Sequence, residues 1–479
     1  MNWSDPAKGN AVPVRARPAR TFFKRRASNG DVRPDDRLAL VDQAFFDGHR
    51  AAGQKDVMQV IWLYEHPIDF DGLKRSHHYL GYGLLGRRIE RSPLPFARHR
   101  WVVDRGSAIE FVECARPRSE LGDWADERSQ LPVDPEWGPG WHLGVLPLTD
   151  GSTAVSLVAS HYLLDGIGLV VALIDALLGN SRDLGYLPPR SRTRLRAVVE
   201  DARQTIREAP GVARALVVAP KLVRLGRPDG APSAASRPGA VHRADGDDLV
   251  IVPSVTIGVD LADWDARAKT LGGSSNTLVA GLAAKLGEGM GHRPASDGPV
   301  TVQLVMSDRA EGDTRAIAVS LGRVNVDPTL VTTDLRKARA DIKQALKTLR
   351  ETPDESSALV SLTPFTPKWT WKRAVDGAFA DPDRPVVCSN LGDIGSVVSH
   401  LDGTHCDYAF ARGTRQHVTR QWLERIGGQM QLLSMRLPAM GKIYIHVLAY
   451  EPGAENTKSA LRELAARTLT EFALPGQVD

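Results

Sequence analysis

The segment SLVASHYLLDGIG, residues 156–168, places a histidine, an aspartate and a glycine within six residues of one another. It begins as a strand of alternating and β-branched residues, ends that strand at Ser160 and His161, turns through Asp165 and Gly166, and departs as an apolar helix. An imidazole is thereby set at a strand end, facing whatever opens there, with a carboxylate close by and a glycine that allows a tight backbone path. Polar residues that interrupt an apolar strand and helix are costly to bury, so a purpose is expected for them. A neutral imidazole titrating near pH 6.5 is suited to general-base chemistry at neutral pH. A His and an Asp at this spacing also form ordinary satisfied polar pairs, and the motif alone does not choose between the two.

Other spacings carry less. Gly81, Gly83 and Gly86 spell GxGxxG, but dinucleotide binding needs such glycines in the turn directly after a strand, where a helix N-terminus meets the pyrophosphate. Here they fall well past the nearest strand, within or at the end of a helix, and read as small residues that permit close packing. His77 and His78 are neighbours about 100° apart on a helix and cannot hold one ion as an i, i+4 pair does. The sequence has no GxSxG elbow, Walker phosphate loop or HExxH motif, and Cys114, Cys388 and Cys406 fit no metal spacing. No metal is expected.

The elements that must position His161 and Asp165 belong to a chain of 479 residues, 42% hydrophobic and 25% charged, a balance that fits two or more globular units. A buried strand is expected over Val57–Tyr64, and a helix capped by Asp71 over the segment that follows. WVV after Arg100 and AIEFVE read as paired strands, and Gly144–Pro147 and Ala154–Ala159 as two more, joined by a turn at 149–151. A buried helix over Ile167–Leu178 closes a first half, 38–180. A basic crossover, 181–243, and a second half, 244–479, follow it, and a basic tail expected to be disordered, 1–37, precedes it. The second half alternates strands (Val255–Val259, Val300–Met306, Val386–Cys388, Gln429–Ser434, Lys442–Ala449) with helices (Leu261–Leu271, Asn276–Met290, Thr333–Thr348, Ala460–Phe472).

Charge is distributed unevenly. Residues 1–30 carry seven Lys or Arg against one Asp, and 181–243 carry thirteen basic against five acidic residues, so the rest of the chain is net acidic. Only Trp3, Phe22, Phe23 and Tyr186 accompany that basic charge, too few aromatics for a nucleic-acid surface, and no nucleic-acid partner is expected. Within the crossover, Arg194, Arg196, Arg203, Arg207, Arg214, Lys221 and Arg224 interleave with apolar residues. Pro210 and Gly211 are expected to divide this stretch into two amphipathic helices. These helices could dock on an anionic membrane surface or pack against the acidic remainder of the protein. Three cysteines, no signal-peptide core and no apolar run of about 18 residues lead to the expectation of a cytoplasmic protein, in one version peripheral at the inner membrane surface.

The segment around His161 resembles the HxxxDG signature of the superfamily with the chloramphenicol acetyltransferase fold. That superfamily includes nonribosomal peptide condensation domains, wax ester synthase/diacylglycerol acyltransferases and mycobacterial polyketide-associated acyltransferases. The resemblance runs over roughly 38–472, and further markers follow in order: PGWHL at 139–143, GGSSNTLVAGLAAKL from Gly272, MSDR at 306–309 and SNLG at 389–392. Three positions depart from the pattern. Ser160 stands where HHxxxDG members have their first His, Thr277 replaces the Asp of an Asn-Asp pair, and Ala316 stands near a usual Asn.

The resemblance implies an α/β fold of two pseudo-symmetric sandwich halves in a V, with the active site in a channel between them. It implies acyl transfer from a thioester, on acyl-CoA or an acyl carrier protein, to an alcohol or amine acceptor, with a lipid acceptor and O-acylation favoured. His161 would be the general base, with no acyl-enzyme and no permanently bound cofactor. Asp165 would form a structural ion pair, for which Arg309 is the candidate. Gly166, through its backbone N–H, and Ser389 with Asn390 are the groups available to meet an oxyanion or substrate. Asn276 is a further candidate that also suits a helix N-cap, as Ser389 and Asn390 suit a turn closing a strand. Two other readings remain: an inactive binding or scaffold protein, and an amide-forming condensation enzyme.

Overall fold

The computed structural model describes residues 35–112, 114–225, 249–292, 298–351, 355–379, 381 and 383–479. The tail expected over 1–37, apart from its last three residues, and the crossover beyond 225 lie outside the described residues.

Helix α1 (Leu40–Ala51) leads into strand β1 (Asp56–Tyr64), and α2 (Phe70–Leu80) leads into a ribbon of β2 (Arg87–Glu90) and β3 (Arg100–Val103). Then come β4 (Glu110–Phe111), α3 (Leu121–Gln130), β5 (Trp141–Pro147), β6 (Thr153–Ser160) and α4 (Gly166–Leu177). A long helix, α5 (Arg194–Leu225), precedes β7 (Ser254–Asp260), α6 (Leu261–Thr270), α7 (Ser275–Gly289), β8 (Val300–Ser307), β9 (Val319–Val326) and α8 (Arg336–Glu351). A 3₁₀ segment (Glu355–Phe365), α9 (Lys368–Phe379), β10 (Val386–Asp393) and β11 (Tyr408–Arg415) follow. The chain ends with α10 (Arg420–Arg425), β12 (Gln429–Leu437), β13 (Lys442–Tyr450), α11 (Lys458–Glu471) and β14 (Gly476–Val478).

The strands build the expected mixed α/β architecture around two sheets. The first has the order β11-β1-β6-β5-β4 and is antiparallel except between β4 and β5. The second has the order β14-β7-β13-β12-β10-β8-β9, with β10 parallel to both of its neighbours. Every residue of β1 and of β6 is buried, which is why VMQVIWLY reads as a continuous apolar run rather than an alternating one. Each sheet has its own apolar core, one around Trp62, Leu157 and Leu164, the other around Ile257, Leu282 and Ile445. No single cut in the chain separates the sheets. β11 returns from the C-terminal stretch to pair with β1, Asp56 opposite Arg415 through Leu63 opposite Tyr408, and Asp36–Asp479 form one compact unit.

Three local expectations need correction. The helix after β1 is capped by Asp69, whose side chain accepts from the Asp71 N–H, and it stops at Leu80 instead of running on through the glycines. The chain reverses there: Gly83 has φ 61°, and a Cβ on Gly86 would lie 2.3 Å from the Gly81 carbonyl oxygen. WVV pairs with Arg87–Glu90 rather than with AIEFVE, of which Glu110–Phe111 joins β5. Finally, α5 is one helix through Pro210. The missing N–H falls on an exposed stretch, where water can satisfy the freed Ile206 carbonyl. On the inner side the bare Gly211 lets the 3₁₀ segment approach, its Cβ position only 3.4 Å from the Ser361 hydroxyl.

Candidate active site

His161 is the first residue past β6, and its N–H donates to the Asp56 carbonyl at 2.9 Å, which fixes the end of β6 against the start of β1. The imidazole stands 5.7 Å from the Phe45 ring, centroid to centroid, and its Nδ1 is buried with no hydrogen-bond partner among the described residues. Ser160, at the position before it, is buried and held in the sheet opposite Val57.

The turn after His161 is held from outside. Arg87, fully buried, donates to the Leu163 carbonyl at 2.7 Å and to the Thr314 carbonyl at 2.6 Å, with its guanidinium 3.9 Å from the centroid of the Trp101 ring. Asp165 caps α4, accepting from the Gly168 N–H at 2.7 Å. The same carboxylate accepts from Arg309 Nη2 at 2.7 Å, Arg309 Nε at 3.3 Å and the Ala318 N–H at 2.8 Å. Both side chains of this pair are at most 4% exposed. Arg309 in turn donates to the carbonyls of Asp313, Arg315 and Ala316, so the pair is surrounded by hydrogen bonds as a buried ion pair must be. Asp42 of α1 accepts from the next two amides, Ala316 and Ile317, and burial pushes its carboxyl above the usual range despite those bonds. Two carboxylates of the N-terminal stretch thus clamp three successive amides, 316–318, of the C-terminal one.

The other expected residues gather on a second group of contacts. A Cβ on Gly166 would lie 2.8 Å from Leu391 Cδ2, so the glycine lets the SNLG strand end approach the N-terminus of α4. Asn390 Nδ2 donates to Asn276 Oδ1 at 2.9 Å, and Asn390 Oδ1 accepts from the Gly392 N–H at 2.8 Å. The cap of α7 is Ser274, not Asn276, because the Ser274 side chain accepts from the Thr277 N–H. Ser389 lies within β10, paired with Leu433 and Val305.

Sequence reasoning did not find the acid–base group behind His161. Asp56 is buried at the head of β1, and its carboxylate accepts from Arg415 Nε at 2.6 Å and meets His49 Nδ1 at 2.9 Å. Burial alone would raise the Asp56 carboxyl. Arg415 and His49 outweigh it, with His161 adding to them, and hold the group well below the usual carboxylate range. The His49 and Phe45 rings are 4.2 Å apart, so Phe45 lies beside both imidazoles. No sequence motif links His49, Asp56 and Arg415; the pairing of β11 with β1 brings Arg415 to Asp56, and the last turn of α1 supplies His49. Likewise Gly168 was not singled out, although a Cβ there would sit 3.2 Å from Arg309 Nη2.

In chemical terms the two halves of HxxxDG differ. The Asp165 carboxylate is saturated by four donors and is committed to holding structure, whereas the His161 Nδ1 has no hydrogen-bond partner among the described residues. Among the described residues no group of three or more His, Cys, Asp or Glu side chains is placed to hold a metal.

No protein-family model matches this sequence, and no curated protein matches it. Solved structures do match. The wax ester synthase/diacylglycerol acyltransferase from Marinobacter aquaeolei VT8 aligns over 91% of this chain and 98% of its own, with 13% identity and a TM-score of 0.51. The first condensation domain of the CDA synthetase aligns over 93% of this chain and 97% of its own, with 14% identity and a TM-score of 0.50. The chain has their fold. Within this condensation-domain fold, His161 and Asp165 sit at the end of the first sheet, and Arg309 reaches Asp165 from the end of β8 in the second.

Proposed function

We propose that the protein is an acyltransferase that moves an acyl group from a thioester to an alcohol, with His161 as general base. The observation that carries this reading is the His161 imidazole, with an unpartnered buried Nδ1, at the point where the Asp165–Arg309 pair joins the two sheets. The fold shared with a wax ester synthase/diacylglycerol acyltransferase and a condensation domain supports acyl transfer as the reaction class. His161 takes the acceptor's proton as its oxygen attacks the thioester carbonyl. The tetrahedral intermediate collapses to the ester, and the departing thiolate recovers the proton from His161. The acceptor is itself the nucleophile, so binding both substrates together supplies the proximity and no acyl-enzyme forms.

The Gly166 N–H, in the first turn of α4, is placed at the positive end of that helix and serves as a donor to the oxyanion. The Ser389 hydroxyl and the Asn390 amide on β10, with the Asn276 amide in the first turn of α7, are the polar groups offered to substrate, Asn390 donating to Asn276. The donor is acyl-CoA or an acyl carrier thioester. The acceptor is lipid-related, and the protein works in the cytoplasm against the inner membrane surface.

The test is a panel of acyl-CoA and acyl-carrier donors with alcohol and amine acceptors, read by release of free thiol and by mass spectrometry of the product. Turnover is expected to favour an alcohol, and His161→Ala is expected to lower it about 10²- to 10⁴-fold while the variant stays folded. Undiminished transfer by a folded His161→Ala protein overturns the assignment. Amide products alone would make it a condensation enzyme, and no turnover with any donor would make it a binding module.

A further inference from the structure

Helix α5 carries Leu195, Val199, Ala202, Ile206, Ala209, Ala213 and Leu216, which recur at alternating intervals of four and three and so form one stripe. That stripe faces out. Leu195 is 76% exposed, Ile206 72%, Leu216 60% and the adjoining Val217 78%, in contrast to Ala197, Asp201 and Ala215, which are buried on the opposite side.

The helix also sorts its charges. Its carboxylates are taken up by the body of the protein: Asp201 is bound by Arg100 and Arg192, and Glu208 by Arg98. Of its arginines, among the described residues only Arg196 has a carboxylate, Glu200, at 2.8 Å. Arg203, Arg207 and Arg214 follow the flank of the stripe, exposed, with no carboxylate partner among the described residues. Next to them the rings of Phe96 and Phe365 stack at 5.9 Å, both exposed, and Phe365 shares a groove of about 470 Å³ with Arg207, Pro210 and Arg214. An apolar stripe, a row of unpaired cations beside it and an exposed aromatic pair therefore lie on one side of the molecule.

From this arrangement we infer that α5 docks the protein on an anionic lipid surface, with the stripe entering the headgroup boundary and Arg203, Arg207 and Arg214 meeting lipid phosphates. Charge complementarity chooses the occupant. A second copy packed stripe to stripe would bring the same unpaired arginines together, and three alanines in the stripe give a partner helix little to interlock with. A lipid interface needs no such fit and supplies the missing anions. The inference deepens the proposed reaction on a lipid-related acceptor by placing the enzyme at the acceptor's phase.

The experiment is flotation of the full chain with vesicles of phosphatidylcholine alone and of phosphatidylcholine with phosphatidylglycerol, at low and moderate salt. Binding is expected to the anionic vesicles alone and to weaken with salt. The triple variant Arg203→Gln, Arg207→Gln, Arg214→Gln is expected to bind about a hundredfold less, on the basis of about fivefold per arginine. Ile206→Ser with Leu216→Ser is expected to lose binding at an unchanged melting temperature. His161→Ala is expected to bind as the parent does, which separates failure of the surface from failure of the chemistry. Absence of binding to either vesicle, equal binding to both, or unchanged binding by both stripe and arginine variants overturns the inference. A dimer in light scattering that the Ile206→Ser, Leu216→Ser variant abolishes would also overturn it, assigning the stripe to a second copy.

Discussion

Asp165 accepts four hydrogen bonds at one carboxylate, two of them from the buried Arg309 guanidinium, so its charge is as important as its shape. In Asp165→Asn the amide can keep one acceptor oxygen, but its NH₂ would face two donors either way, Arg309 Nη2 with the Ala318 N–H or Arg309 Nε with the Gly168 N–H. Arg309 would be left buried and uncompensated, and breaking a buried pair in this way costs about 3 to 5 kcal/mol. The expected outcome is a large fall in melting temperature, with turnover lost through displacement of the His161 turn. A variant with parental stability and turnover would show that the pair does not hold the site. Before the structure this pairing followed only from the resemblance to HxxxDG proteins, whose markers, the motif itself and a later strand-end arginine, are both short local patterns. The His49–Asp56–Arg415 group was not legible, since its members come from a helix end, a strand start and a strand that joins the sheet from far along the chain. Each is ordinary in its own neighbourhood, and only tertiary pairing puts them beside His161.

The glycines after α2 illustrate the same limit one level up. GxGxxG in a helical context reads as a packing device, and the structure makes it a reversal between α2 and β2. A Cβ at Gly86 meets backbone at 2.3 Å, an atom that cannot rotate away as a side chain could. Gly86→Ala is therefore expected to cost about 1 to 3 kcal/mol, the usual range for overpacking, in chemical denaturation. An unchanged midpoint would mean that the reversal can relax. Elements with strong local patterns were legible to within a few residues: β1, β5, β6, α4 and the strands and helices from β7 to β8 follow from β-branched runs and helical periodicity. Those without such patterns were not. β11, YAFARGTR, mixes arginine and glycine into its alternation because Arg412 and Arg415 turn into buried polar contacts with Asp126 and Asp56. The α5 result came from the opposite cause, a local rule about proline overridden by tertiary packing on one side and solvent on the other.

At the scale of the whole molecule, His142, His292 and His446 are buried where protonation is costly. Burial, with Arg128 nearby, pushes His142 on β5 down to about 4; burial, with Arg384 nearby, pushes His292 after α7 down to about 4. His446 on β13 is driven well below its ordinary value by burial and by Arg412. Their ordinary value is 6.5. Between that pH and about 4 the unfolded chain binds protons that the folded chain refuses, so folding stability must rise with pH there and fall as the solution is acidified. Each of His142 and His292 can withdraw at most about 3 kcal/mol once the pH is below both values. Asp56, held low, contributes stability that is lost only in far stronger acid. Asp42, pushed up by burial, takes its proton more readily when folded and works in the opposite direction. His142 and His446 lie in different sheets and His292 follows α7, so the effect belongs to global unfolding rather than to one loop. Urea unfolding at intervals from pH 7.5 to 4.5 is expected to show a plateau above about 7 and a steady loss below 6.5. His292→Asn is expected to make that loss shallower while lowering the plateau, because the Nδ1 bond to the Arg384 carbonyl is disturbed. A free energy of unfolding that stays level from pH 7 to 5 would show that these imidazoles are not held neutral by the fold.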